Sequence, residues 1–262
     1  MNEIAAFERI LWGLTVFLDG GLLVLLLYRK NHRVFPLFFV YILFNFVQCF
    51  ILFESYRIWG FYSPVSKRIG WETQGVVIAV RALAVAQICQ RVLANFRGVW
   101  ALAKRLLFVT AAVLLLYSWA IARGSWQFAV LNADRGLELS IASVIVILFL
   151  FTRYYGIAVE PAVRALAIGL FLLSCFFVLN DTVLEVWMYH YSTFWNLLGT
   201  LAFISSMLLW SWALRERQPE TMFAPEMLSD GIYQAVTPEI NDRLRALNDH
   251  LGQFWRAERR RS

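Results

Sequence analysis

Seven long runs of apolar residues, separated by short polar stretches, set the plan of the chain: about 8–28, 35–54, 72–93, 105–122, 137–153, 163–186 and 194–214. A helix of roughly 20 mostly apolar residues covers the hydrocarbon core of a bilayer and satisfies its backbone hydrogen bonds internally. Membrane strands would be about half as long and would alternate polar with apolar positions, and these runs do not alternate. The pattern predicts an all-α, polytopic transmembrane bundle of seven helices over residues 1–215. Pro36 and Pro161 stand at the starts of two runs, where a missing N–H costs nothing. No internal repeat is evident. The paired Gly/Pro interruptions common in inverted-repeat transporters are missing as well.

After Arg215 the pattern changes. Residues 216–262 form a polar tail punctuated by Pro219, Pro225 and Gly231. Within it Thr237-Pro238-Glu239 is a helix-start signal. Ile240, Leu244, Leu247, Leu251 and Phe254 then repeat at alternating spacings of four and three. They predict a short amphipathic helix over about 238–258, ending in Arg256, Arg259, Arg260 and Arg261. So short a helix is marginal alone. It calls for a surface: the inner loops of its own bundle, anionic lipid, or a cytoplasmic protein, including a second copy of the chain.

Charge orients the plan. With the N-terminus outside, the cytoplasmic segments hold seventeen of the 24 basic residues and the outer segments six, with Arg81 inside a span. That bias, with the C-terminal tail in the cytoplasm, follows the positive-inside rule. Tryptophans support the boundaries, with Trp59, Trp71, Trp119, Trp126, Trp187 and Trp195 near the outer edge and Trp100, Trp210 and Trp212 near the inner one. Composition agrees: 60% of residues are apolar and only 16% charged, against about 25% charged in soluble domains. The net charge of +6 is spread over membrane-flanking stretches. Nucleic-acid binding would need a contiguous basic face, so none is expected.

A charge inside the bilayer is costly and usually faces a partner within the bundle. Asp19 and Arg81 lie mid-span, and Asp181 lies in the outer part of the sixth run. Glu72, Glu138 and Glu185 fall near the outer ends of the third, fifth and sixth runs. Two readings stand side by side: an interhelical network in which Arg81 bridges to Asp19 or Asp181, and an outward-facing polar pocket built from Glu72, Arg81, Glu138, Asp181 and Glu185. The three glutamates read as hydrated helix-end carboxylates rather than a divalent-cation site. Asn45, Gln48, Gln74, Gln87 and Asn196 read as amides that join helices, and Gly20, Gly21, Gly169 and Gly199 as points of close approach.

Several chemistries are excluded. Lys30, Lys67 and Lys104 lie in loops or at a helix end, so no lysine is placed to carry retinal. His32, His190 and His250 fall inside, outside and in the tail and cannot converge on haem or zinc. Cys49, Cys89 and Cys175 sit singly within apolar runs and read as packed free thiols. No hydrolase, metalloprotease or phosphate-loop motif occurs. No cofactor and no metal are expected.

The basic turn leading into Phe35-Pro36-Leu37-Phe38-Phe39-Val40-Tyr41, Glu72, Leu137-Glu138 and Thr237-Pro238-Glu239-Ile240-Asn241 together resemble a group of bacterial seven-helix membrane proteins without an assigned activity. The resemblance implies the same architecture and an inner-membrane location, and carries no chemistry. The leading functional expectation is a non-enzymatic, sensor-like or scaffold module that reports through its tail. Its partners would be the bilayer, a cytoplasmic protein or a second copy, and an unidentified small ligand. The alternatives are a transporter component using the Asp/Arg network and a lipid-active membrane enzyme.

Overall fold

The computed structural model describes residues 6–60, 63–94, 96–122, 126–186 and 192–218, with Ala246 and Asp249. Among these residues the chain is all-helical. Its helices are α1 (Ala6–Tyr28), α2 (Asn31–Val34), α3 (Pro36–Trp59), α4 (Pro64–Val92), α5 (Arg97–Ile121), α6 (Trp126–Tyr154), α7 (Pro161–Val186) and α8 (Ser192–Ala213). Six of them, α1 and α3 through α7, are long and apolar enough to cross a membrane, and α8 is apolar over the shorter stretch Leu197–Ala213. The chain thus has the build of a multi-pass membrane protein. The tail residues Ile240, Leu244, Leu247, Leu251 and Phe254 lie outside the described residues.

The long helices form a ring. α1 packs between α3 and α8, α8 on α7, α7 on α6 and α4, and α4 on α3 and α6. α5 leans on the outer side of α6 and touches α4. Outward faces are apolar and exposed, with Phe17, Phe50, Phe108, Leu116, Ile147, Leu150 and Trp212 among them. In lipid such a surface needs no covering. Inside the ring, Leu22, Leu26, Phe35, Phe38, Ile42, Ile88, Leu166, Leu170, Met207 and Trp210 make one buried core.

Three helices, α4, α5 and α6, begin well before their apolar runs. Ser63 caps α4 by accepting from the Val65 N–H at 3.3 Å, and Pro64 supplies the first helical position. The turn before it needs glycine: Gly60 has φ +83°. Buried Ser66 braces this turn by donating to the carbonyls of Gly60 at 2.8 Å and Ser55 at 3.3 Å. Glu72 therefore does not open the helix but sits eight residues inside it. α6 starts at Trp126, so Asp134, Arg135 and Glu138 are interior helix positions rather than loop or helix-end ones. The helix continues through this break in the apolar run, with Asp134 bonded to Gln74 and Glu138 to Arg81 on α4.

Small residues set the α7–α8 contact. A side chain at Gly169 would meet Trp210 Nε1 at 2.2 Å, and one at Gly199 would meet Phe176 at 2.7 Å. Gly20 faces Phe46 at 3.2 Å, whereas nothing stands near Gly21. Trp210, expected at the inner interface, is instead fully buried. Its indole N–H donates to the Leu166 carbonyl at 3.3 Å and its ring packs edge-on against Phe38 and Tyr41. Gly169 leaves the room that draws it inside.

Candidate functional site

The polar side chains inside the ring follow the α3–α4 hairpin in three rungs. Nearest the Gly60 turn, Gln48 on α3 donates to Thr73 Oγ1 and Gln74 Oε1 on α4, each at 3.2 Å. Gln74 in turn donates to Asp134 on α6 at 3.3 Å. Two helical turns along α4 lies Arg81. A further six residues on, Gln87 accepts from the backbone N–H groups of Leu37 and Phe38, both at 3.1 Å. Phe35 offers α3 no side-chain cap, so Gln87 caps that helix from its neighbour. Gln74 and Arg81 lie two turns apart on one face of α4, whereas Gln87 is turned about 120° from Arg81, toward the start of α3. α4 tolerates them because α3, α5, α6 and α7 surround it.

The middle rung carries the charge. Arg81 Nη1 is hydrogen-bonded to Glu138 Oε1 across α4 and α6, and both side chains are almost fully buried. The guanidinium also faces two aromatic rings, Tyr41 at 5.5 Å and Phe177 at 5.0 Å. Cation–π contact of this kind partly replaces lost water. Arg81 Nε and Glu138 Oε2 are buried without hydrogen-bond partners.

The structure pairs Arg81 with Glu138, whereas Asp19 is bonded to Asn45 instead. The early start of α6 carries Glu138 about 18 Å along the helix from Trp126, to the level of Arg81. The reading of Glu138 as a hydrated helix-end carboxylate falls with it. Asp19 belongs to a separate contact. Its Oδ2 accepts from Asn45 Nδ2 at 2.7 Å, and the residue has no solvent exposure. Tyr41, one turn from Asn45, lies within electrostatic reach of both Asp19 and Arg81. Glu72 stands apart, exposed and paired with Arg68 at 2.9 Å along α4. Asp181 and Glu185 lie on the last turns of α7, with side chains outside the described ones.

At the other end of the bundle, buried Asn31 on α2 clamps the exit of α8. Its Nδ2 donates to the carbonyls of Leu214 at 2.9 Å and Glu216 at 3.0 Å, while its Oδ1 accepts from the Gln218 N–H at 2.8 Å. Lys30, in the left-handed region at φ 59°, makes the elbow that aims Asn31 there. Nearby, the Arg91 guanidinium lies 4.5 Å from the Phe35 ring. Between α6 and α7, burial pushes the Glu160 carboxyl above its ordinary range, opposed by the Arg91 charge.

Sequence reasoning had no reason to single out Asn31. Gln87 was legible as an amide that joins helices, though not as the cap of α3. No protein-family model matches the chain, and neither curated proteins nor solved structures give a match.

Proposed function

We propose that the chain is a seven-span, non-enzymatic module of a bacterial inner membrane, sensor-like or scaffolding, that passes the state of its bundle to a cytoplasmic tail. In this reading α8 is the seventh span, the N-terminus is outside, and the resemblance to bacterial seven-helix proteins reflects kinship. The charge bias of the flanking segments supports the orientation.

One observation carries the functional part: the Asn31 clamp. Three hydrogen bonds join the α1–α2 elbow to the backbone of residues 214–218, where the tail begins. A shift of α1 against the ring therefore reaches the tail root directly. The buried pair of Arg81 and Glu138 acts as a tie between α4 and α6 that holds the bundle in its present packing. Both groups are closed off from solvent in this conformation, which favours a tie over an open carrier site.

Hydrogen exchange on the full chain in lipid nanodiscs tests the coupling. Glu138→Gln weakens the tie while keeping side-chain shape. It should speed exchange in residues 214–262 as well as in α4 and α6. On an Asn31→Ala background, where the tail root is already released, Glu138→Gln should add little beyond residue 214. If Glu138→Gln alters exchange in the bundle and leaves the tail at the wild-type rate, the proposed coupling is wrong.

A further inference from the structure

We propose that Asp19 is a proton-binding site in the membrane interior, occupied in the conformation described here, with Asn45 as the amide that holds it. This deepens the reading above by naming the proton as the input, and it rests on that reading only for the link to the tail.

The geometry leaves Asp19 short of partners. The residue is fully buried in α1. One carboxyl oxygen, Oδ2, accepts the 2.7 Å bond from Asn45. The other, Oδ1, is buried with no hydrogen-bond donor. An ionised carboxylate needs several donors or a cation once it leaves water. α1 packs on α2, α3 and α8. From α3, Tyr41 and Cys49 lie within electrostatic reach of Asp19, and neither side chain carries a positive charge. α8, Ser192–Ala213, contains no acid, base, cysteine or tyrosine. α2 contributes His32 and Arg33, beyond the end of α1 and about 14 Å or more along the axis from Asp19. The guanidinium of Arg81 is hydrogen-bonded to Glu138. No described cation therefore neutralises Asp19, and an added proton does so at the least cost.

The proton belongs on Oδ1, leaving Oδ2 as the carbonyl oxygen that accepts from Asn45. Release is simple in form: the O–H bond of the acid breaks, a water molecule takes the proton, and the carboxylate keeps the electron pair. Water must reach the group first, so release requires α1 to part from α3. Capture reverses each step and closes the interface. The same helix leads through Lys30 into Asn31, so the movement that wets Asp19 also pulls on the clamp at the tail root.

Infrared spectroscopy of the full-length protein in nanodiscs, recorded as a function of pH, tests the site. At neutral pH the wild type should show a carboxylic-acid C=O band that Asp19→Asn removes. In Asn45→Ala that band should persist and move to higher frequency, because its carbonyl has lost a hydrogen bond. The second variant keeps the test open should Asp19→Asn not fold. Loss of carboxylate bands only in Asp19→Asn, or no shift in Asn45→Ala, would overturn the proposal. So would an acid band that is present in choline chloride and absent in sodium chloride, since the ligand would then be a metal cation. If the band behaves as expected and the tail exchange does not, the proton site stands and the coupling fails.

Discussion

At the residue scale, a few side chains do work that their neighbours in sequence do not announce. Gly169 is one. The space it leaves is filled by Trp210, whose indole closes a hydrogen bond to Leu166. A methyl group at Gly169 would strike a buried ring with no room to retreat, and overpacking of this kind costs about 1–3 kcal/mol. Gly169→Ala should lower the thermal midpoint in detergent clearly, whereas Gly21→Ala, with open space around it, should leave it unchanged. Equal behaviour of the two variants would refute the packing account. In the sequence the two glycines look alike, and both read as close-approach points. Trp210 looked interfacial from its position near the end of a span. What distinguishes these residues is the partner across the gap, and that partner is 41 residues from Gly169.

At the element scale, the boundaries of α4 and α6 turn on the same physics. Apolar runs locate helices that face lipid, because lipid permits little else. They fail where a helix is lined by other helices. α6 continues through Asp134, Arg135 and Glu138 because Asp134 meets Gln74 and Glu138 meets Arg81. Hydropathy along one segment cannot register a partner on another. Arg81 was legible as a costly intramembrane charge, whereas Glu138 read as a helix-end carboxylate and the pairing of the two was not legible. The tie makes a sharp prediction. Removing one member of a buried ion pair leaves a charge stranded and costs about 3–5 kcal/mol, whereas replacing both with apolar residues can be nearly neutral. Arg81→Met and Glu138→Met should each destabilise the protein strongly against denaturation in micelles, and the double variant should recover most of the loss. A double variant as unstable as the sum of the single ones would mean that the two side chains do not act together.

At the scale of the whole molecule, the bundle is a ring with an apolar core crossed by a few buried polar contacts, an apolar exterior and a clamp at the root of its tail. The exterior was legible in large part, since six of the apolar runs correspond to helices long and apolar enough to cross a membrane, and the last run to the shorter apolar stretch Leu197–Ala213. The clamp was not, because Asn31 looks like any polar residue in a basic turn until α8 is brought beside it. The coupling assumes that the long helices cross the bilayer an odd number of times, so that the tail and the N-terminus face different compartments. Single cysteines placed by Asn2→Cys and Ser262→Cys, in a chain with Cys49, Cys89 and Cys175 replaced by alanine, can be reacted with a membrane-impermeant maleimide in sealed vesicles of known orientation. The account predicts that the reagent labels residue 2 only from the outer face and residue 262 only from the cytoplasmic face. Labelling of both from one face would contradict it.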